Sequence, residues 1–424
     1  MATIDKNSYD VLKNMYDTVI NKDRRLFKTS NDEPTPIGCI EEMMNKVPEE
    51  FWEQKDLKIL DPCCGSGNFF IVVVRKLLVH HSLKDILEKM LFFNDINKDR
   101  LDIVKQVFNG NDYKLNITEC DFLEFNTEEK YDMIVGNPPY AKLLPNGKRA
   151  SKNHNLIGLF IQKSLDILKE SGYLVYITPD NWMSLADRNK LVYKLTTLQI
   201  IHLNIHSAKR YFPKIGSSFV WFVLENRAHY KNISVEGIFN KHSYTSSVES
   251  DIRGFIPLYY TQEVQSIVSK TLDRDNTKYK VETSSDLHKY TKKHLITTTE
   301  DVDHPYKLVH TPNQTVWASR PHKYQEGYKV FICTTSYYKT FVDSCGMTQS
   351  IAFIREGSKE DAERDCKILS HPLYIFLNNI CRYGNFNNIR VIQKFPVARS
   401  YESVYDDFGI TPDEIKFIES SLSR

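Results

Sequence analysis

Two adjacent prolines set directly after an apolar strand constrain this chain more than any other feature. The stretch from Lys130 to Tyr140 reads KYDMIVGNPPY. Its segment from Tyr131 to Val135 is largely apolar between polar flanks, the pattern of a short strand buried on both faces. Gly136 ends that strand, and Asn137, Pro138, Pro139 and Tyr140 follow. Neither proline has an N–H to donate, so the segment continues neither a sheet ladder nor a helix interior. It reads as a stiff extended spur with an amide before it and an aromatic ring after it. Open α/β sheets bind ligands at the carboxyl ends of their strands, where this spur would stand.

Such a spur suits the methylation of a planar, conjugated nitrogen. The exocyclic amine of adenine is a weak nucleophile because its lone pair is delocalised into the ring. Two acceptors on its two hydrogens draw it towards a tetrahedral, more nucleophilic form. The Asn137 side-chain oxygen and the Pro138 carbonyl can be those acceptors, and the Tyr140 ring can stack on the base. The leaving proton becomes acidic only after the methyl group arrives, so no strong general base is required.

A second feature supports this reading. A short strand, 57–60, ends in Asp61-Pro62-Cys63-Cys64-Gly65-Ser66-Gly67-Asn68-Phe69, and a helix over 69–79 is expected next. Strand, Gly-x-Gly turn and helix form a nucleotide-binding arrangement, here without the third glycine of a dinucleotide fingerprint or a Walker lysine. Gly65 and Gly67 let the backbone pass close to a ligand. Asp61 offers an anion suited to an α-ammonium group, which points to a cofactor with an amino-acid head. A strand over 90–93 leads to Asp95, placed to accept two ribose hydroxyls, although Asp95 or Asn97 can also cap the helix expected over 98–108. A strand over 114–119 leads to Asp121, an acceptor for an adenine amino group, and Phe122, a surface for the adenine ring. Upstream, Thr35-Pro36 opens a helix over 37–47, with Thr35 either its N-cap or a hydroxyl at the lip of the cofactor pocket.

Strand–helix units alternate from the glycine turn to about residue 226, with a polar loop over 142–155 and a helix over 187–195 among them. They predict a mainly parallel, doubly wound sheet. Tyr211-Phe212-Pro213-Lys214 braces an aromatic that either faces the catalytic edge opposite Tyr140 or sits in the core. After residue 230 the pattern changes to short strands, polar loops and a few helices, the mark of a second domain. There basic, aromatic and amide residues interleave at 288–294 (HKYTKKH), 320–324 (RPHKY), 334–339 (TTSYYK) and 382–390 (RYGNFNNIR). The last, just before a strand-like VIQKFPV, is the leading candidate for DNA contact, since Arg and Asn read phosphates and base edges. A capping box at Thr411–Glu414 opens the terminal helix. The net charge is only +2, so any polyanion site must be local. The eight cysteines show no zinc-type spacing and are expected as free thiols, with no metal site. No apolar run is long enough to span a membrane, and an intracellular, cytoplasmic protein is expected.

Taken in order, Thr35-Pro36, DPCCGSGNF, Asp95, Asp121-Phe122, NPPY, NLIGLF (155–160), GYLVYITPDNW (172–182) and RYFPK (210–214) follow a known arrangement. The chain resembles the gamma-class type II DNA adenine-N6 methyltransferases with a single C-terminal target-recognition domain. The resemblance is specific over 28–226 and loose over 240–424. It implies a Rossmann-like S-adenosylmethionine-dependent methyltransferase fold, with a mostly parallel, doubly wound seven-stranded sheet and a second, mixed α+β domain. The implied boundaries are an N-terminal helical segment (1–30), a catalytic domain (31–238) and a recognition domain (239–424).

The same resemblance implies roles for individual residues. Thr35, Asp61 and the backbone from Cys63 to Gly67 would hold the methionine part of S-adenosylmethionine. Asp95 and Ile96 would hold its ribose and adenine side. Asp121 and Phe122 would hold its adenine, with Pro139 and Phe160 closing around it. Asn137, Pro138 and Tyr140 would bind the target adenine, and Phe212 would stack on it. Lys214, Arg382, Asn385, Asn387, Asn388 and Arg390 would contact DNA. Pro62-Cys63-Cys64 departs from the usual residues before the Gly-x-Gly turn. The expected partner is duplex DNA, acted on by a monomer that flips the adenine out, with a cognate restriction endonuclease acting separately. Two other readings stand beside it: a glutamine-N5 or ribosomal RNA methyltransferase with the same NPPY motif, and an inert DNA-binding subunit. The long segment after the last sheet strand speaks against the first, and the intact acidic positions speak against the second.

Overall fold

The computed structural model describes residues 3–5, 7–23, 25–27, 33–140, 156–185, 190–216, 218–251, 253–335 and 337–423. The polar loop expected over 142–155 and the start of the helix expected at Asp187 lie outside them. The chain forms two compact units. The first comprises Met1–Trp182, Lys190–Ile238 and Ser243–Arg253, and the second Met183–Asn189, Phe239–His242 and Gly254–Arg424.

The first unit opens with helix α1 (Tyr9–Thr18), then α2 (Ile37–Met44). Strand β1 (Ile59–Asp61) feeds α3 (Asn68–Leu77). Next come β2 (Leu91–Asp95), α4 (Lys98–Val107), β3 (Asn116–Glu119) and β4 (Tyr131–Gly136). Helix α5 (Ile157–Ile167), β5 (Leu168–Pro179), α6 (Lys190–Thr196), β6 (Leu198–Ile205) and β7 (Phe219–Ala228) follow. Two more strands, β8 (Ile233–Phe239) and β9 (His242–Val248), complete a nine-stranded sheet.

The strand order is β3-β2-β1-β4-β5-β7-β6-β8-β9. The first five run parallel, and β7 runs antiparallel to both β5 and β6. The mostly parallel sheet is as expected, but it has nine strands rather than seven. Strand β8 pairs in parallel with β6, extending the sheet past the point where the sequence pattern changes. The continuous apolar run that reveals a strand buried on both faces is absent in β9, which is largely exposed. The order reverses between β1 and β4, and a crevice forms at such a switch point. The core beneath it includes Trp52, Phe70, Phe93, Phe108 and Trp221. Leu12, Tyr16 and Ile20 pack into the same core, so the N-terminal helix is part of this unit rather than a separate segment.

The second unit begins with α7 (Gln262–Lys270). Its strands β10 (Glu282–Thr283), β11 (Ile296–Thr297), β12 (Tyr306–Thr311), β13 (Gln314–Ala318), β14 (Lys329–Cys333), β15 (Thr340–Asp343), β16 (Gly346–Met347) and β17 (Ile351–Arg355) form two four-stranded sheets. One sheet packs around Phe331 and Phe353, the other around Leu308 and Val316. Helices α8 (Lys359–Leu369), α9 (Pro372–Asn379) and α10 (Pro412–Leu422) follow, the last opened by the Thr411–Glu414 capping box. The stretch 391–397, expected as a strand, instead begins in the helical turn Ile389–Ile392. The Asn388 side chain accepts from Arg390 N and caps that turn. No described helix is long and apolar enough to cross a membrane.

Candidate active site at the carboxyl edge of the sheet

Strands β2, β1 and β4 end side by side, so the two loops singled out in the sequence meet. A Cβ added at Gly136, which ends β4, would lie 3.0 Å from Asp61 Oδ1 and 3.7 Å from Cys63 Sγ. The proline spur and the glycine turn therefore share one edge of the sheet. Gly65 and Gly67 both adopt positive φ, at 56° and 90°, and Gly67 also abuts the Phe108 ring.

The glycine turn is braced from four directions. Asp95 Oδ2 accepts from Gly65 N at 2.8 Å, and Asp95 Oδ1 accepts from Asn97 N at 2.8 Å. Asn94 O accepts from Cys64 N at 2.8 Å. The Tyr16 hydroxyl on α1 donates to Ser66 O at 2.5 Å. Asn68 donates to Thr35 O and to Asn21 Oδ1, both at 2.9 Å. Asn97, not Asp95, caps α4, accepting from Asp99 N and Arg100 N. Arg100 lies 3.9 Å from Asp95 and donates to Leu26 O, while its guanidinium sits over the Phe27 ring. Tyr16, Phe27, Asn68 and Arg100 were not legible as site residues. Tyr16, Asn68 and Arg100 act through contacts with a distant backbone, and Phe27 through the Arg100 guanidinium, which no local motif records.

Asp61 is 1% exposed. Burial, with the Asp95 charge adding to it, pushes its carboxyl well above the usual range, partly offset by the Cys63 N–H. A buried carboxylate in that setting is short of a cation. Thr35 does not cap α2: the helix begins at Ile37 with Pro36 in the cap position, and Thr35 Oγ1 is buried without a hydrogen-bond partner. Ser66 Oγ is likewise buried and unpartnered. Burial also raises the Cys63 and Cys64 thiols well above their ordinary value, so both stay protonated.

On the spur, the Asn137 amide is fixed at both ends. Its Nδ2 donates to Glu33 O at 3.1 Å, and its Oδ1 accepts from the Tyr140 hydroxyl at 2.6 Å. Burial raises the Tyr140 phenol, which keeps the proton it donates. The Tyr140 ring centroid lies 6.0 Å from that of Phe219, and Phe219 lies 4.6 Å from Phe212. Phe212 is only 2% exposed, so the structure places it in the core, linked to Tyr140 through Phe219. Phe219 was missed in the sequence because it reads as one more apolar strand residue. Phe122 and Phe160 are both buried, with ring centroids 5.3 Å apart. Asp121, after β3, is exposed and accepts from Leu123 N, and Ile96 is also exposed. Pro139 is half-buried and Lys214 exposed.

The second unit sorts the DNA-contact candidates. Asn387 is buried, donating to Cys333 O and accepting from Asn378, so it holds the fold and has no surface for DNA. Asn388 caps a helical turn and donates to Leu185 O. Arg382 is half-buried and Arg390 exposed, and the side chain of Asn385 lies outside the described ones. Among the described residues no cluster could hold a metal ion, and all eight cysteines are free.

The strand order, the antiparallel β7 beside β5 and the glycine turn after β1 define the fold of the class I S-adenosylmethionine-dependent methyltransferases, whose cofactor is S-adenosylmethionine. Residues 66–210 match the model of the Eco57I restriction-modification methylase family. The chain is 30% identical over 181 residues to the type II methyltransferase M.VspI of Vibrio sp. strain 343, covering 40% of this chain and 42% of that protein. It is 23% identical over 339 residues to an uncharacterized adenine-specific methylase of Mycoplasma pneumoniae, covering 58% and 79%. A cryoEM structure of the DrdV–DNA complex has a similar fold, with a TM-score of 0.59 at 11% identity over 98% of this chain and 59% of that one. The match spans less than half the length of M.VspI.

Proposed function

We propose that this protein is a site-specific DNA methyltransferase that moves a methyl group from S-adenosylmethionine to N6 of an adenine flipped out of duplex DNA. The observation that carries the reading is the Asn137 amide, fixed by Glu33 O and Tyr140, beside the braced glycine turn and the buried Asp61. The orphaned Thr35 and Ser66 hydroxyls and the cation-seeking Asp61 fit the amino-acid head of the cofactor. Asp95 and Ile96 would face its ribose and adenine, with Asp121, Phe122, Pro139 and Phe160 beyond. When bound, S-adenosylmethionine supplies an electrophilic methyl group.

The chain's own residues then have separable tasks. Asn137 Oδ1 and the Pro138 carbonyl accept the two N6 hydrogens and raise the nucleophilicity of the nitrogen. A carbonyl oxygen has two lone pairs, so Oδ1 can keep the Tyr140 hydroxyl while accepting from N6. The Tyr140 ring stacks on the base. Phe212 joins that stack only after its loop shifts, since it is buried against Phe219. Flipping costs a few kcal/mol, which stacking and backbone contacts offset.

Adenine as the target rests on the motif and on the name of the Mycoplasma relative. Residues 239–424 are proposed as the recognition domain, with Arg382 and Arg390 touching DNA and Lys214 contributing from the first unit. The enzyme is proposed to act as a monomer inside the cell, with any cognate nuclease separate. The test is to express the chain in a methylation-free host and sequence its DNA for modified adenines. N6-methyladenine in one short recurring sequence is expected. Unmodified DNA, together with methyl transfer to ribosomal RNA or a release factor in vitro, would sink the proposal.

A further inference from the structure

Phe212 reaches a flipped base only if the loop that carries it leaves the core. That loop runs from β6 to β7 and begins with the helical turn Ser207–Tyr211. Both of its ends are fastened at Asp180, which directly follows β5 and is 1% exposed. Asp180 Oδ2 lies 2.9 Å from His206 Nε2, and Asp180 N donates to Ser218 O at 3.3 Å. His206 N also donates to Phe219 O at 2.9 Å. The root of the loop is therefore fixed to the edge of the sheet.

The crown is held differently. Arg210 and Tyr211 both donate to one oxygen, Glu42 Oε1 on α2, the Tyr211 hydroxyl at 2.5 Å. The Arg210 guanidinium lies 5.0 Å from the centre of the Tyr211 ring, so the two donors stand side by side. Burial, and after it the bond to Glu42, pushes the Tyr211 phenol up to about 12, which keeps it a donor. The neighbouring carboxylates have cations of their own, Glu41 with Lys13 and Arg75, and Glu236 with Lys46. A guanidinium and a hydroxyl converging on one anionic oxygen are a donor set suited to a phosphate oxygen. Here the chain's own carboxylate fills it. The Arg210 and Glu42 side chains are 54% and 34% exposed, so water screens the pair and it holds the crown only weakly. From 207 to 216 the loop carries Lys209, Arg210 and Lys214 and no Asp or Glu.

We propose that Glu42 stands in for a DNA phosphate: a backbone phosphate of the bound duplex displaces it from Arg210 and Tyr211, and the crown bearing Phe212 is then free to leave α2. This rests on the DNA adenine methyltransferase reading, and it names two phosphate donors and the residue that occupies them in the free protein. Without DNA, Phe212 stays covered.

The experiment uses the full chain and the duplex found methylated in the host DNA, with affinity read by fluorescence anisotropy over a range of salt. Arg210→Gln should lower the slope of log K against log salt by about one, the mark of one lost phosphate contact. Glu42→Gln should bind about two- to fivefold tighter at unchanged slope, since the duplex no longer has to break an exposed ion pair. In the Arg210→Gln background the same change should bring no such gain, because Glu42 acts through Arg210. Both side chains are partly exposed, so each variant should melt near the wild-type temperature. A gain of equal size in both backgrounds means that Glu42 merely repels the duplex, and it overturns this proposal alone. An Arg210→Gln variant with the wild-type slope does the same. Host DNA left unmethylated by the wild type overturns it together with the function on which it rests.

Discussion

Asn137 owes its orientation to two partners of different kinds, a backbone carbonyl at Glu33 and a neutral phenol at Tyr140. Removing the side chain should separate chemistry from binding. Asn137→Ala is expected to lower the rate of methyl transfer by about 10²–10³-fold, the usual cost of one oriented electrostatic partner. Cofactor affinity by calorimetry should stay near wild type. Turnover within a few-fold of wild type would end the acceptor role. Asp61 carries a different signature. Its folded-state pKa is raised, so its contribution to stability is fully present below the unfolded value and fades as pH rises through the folded one. Above the ordinary carboxylate range its burial therefore costs stability, and Asp61→Asn should raise it by about 1–3 kcal/mol in urea unfolding. The same change should weaken cofactor binding about 10–100-fold, since a charge-assisted hydrogen bond is lost. In the wild type, cofactor affinity should fall as pH drops through the raised pKa. A variant both less stable and fully able to bind would contradict the assignment. The sequence could suggest these residues because their types are scarce at strand ends. It could not separate Thr35 the cap from Thr35 the orphaned hydroxyl, nor an exposed Phe212 from a buried one. Those outcomes depend on where α2 begins and on Phe219, both set by tertiary packing.

At the scale of elements, the glycine turn between β1 and α3 is where local sequence and tertiary packing agree. Gly67 has φ 90°, and an added Cβ would come within 2.7 Å of the buried Phe108 ring. Gly67→Ala should cost about 2–4 kcal/mol, from the left-handed backbone and the overpacking together. The measurement is the midpoint of urea unfolding, and a shift worth under 1 kcal/mol would mean that the turn relaxes freely. Strands β1, β2 and β4 were readable because each is a short apolar run closed by an acidic residue or a glycine. Their ends moved by only a few residues on folding. Strand β9 was not singled out, since it lies largely exposed at the sheet edge and lacks the apolar face that periodicity detects. The stretch 391–397 misled in the opposite way. Its β-branched residues promise a strand, but the Asn388 cap and the buried Asn387 network commit it to a helical turn first. Local propensity loses where side-chain amides satisfy the backbone.

Across the whole molecule, each unit has its own apolar core. The cluster beneath the parallel sheet draws only on first-unit residues, and those around Phe331 and Leu308 only on second-unit residues. Separate cores are the condition for separate cooperative transitions, and a multi-domain chain departs from two-state behaviour on that ground. The proposed cofactor contacts all lie in the first unit. A ligand that binds only the folded form of one unit stabilises that unit, by about 2.7 kcal/mol at a concentration a hundred times its Kd. Calorimetric melting of the full chain is therefore expected to show two transitions. S-adenosylmethionine should raise one and leave the other in place, and the Asp61→Asn variant should weaken that response at the same cofactor concentration. Limited proteolysis during the ramp can assign the shifted transition, since fragments from 254–424 should appear at the same temperature with and without the cofactor. A single transition that moves as a whole would mean that the two cores melt as one. A shift confined to the second unit would place the cofactor outside the glycine turn and refute the site.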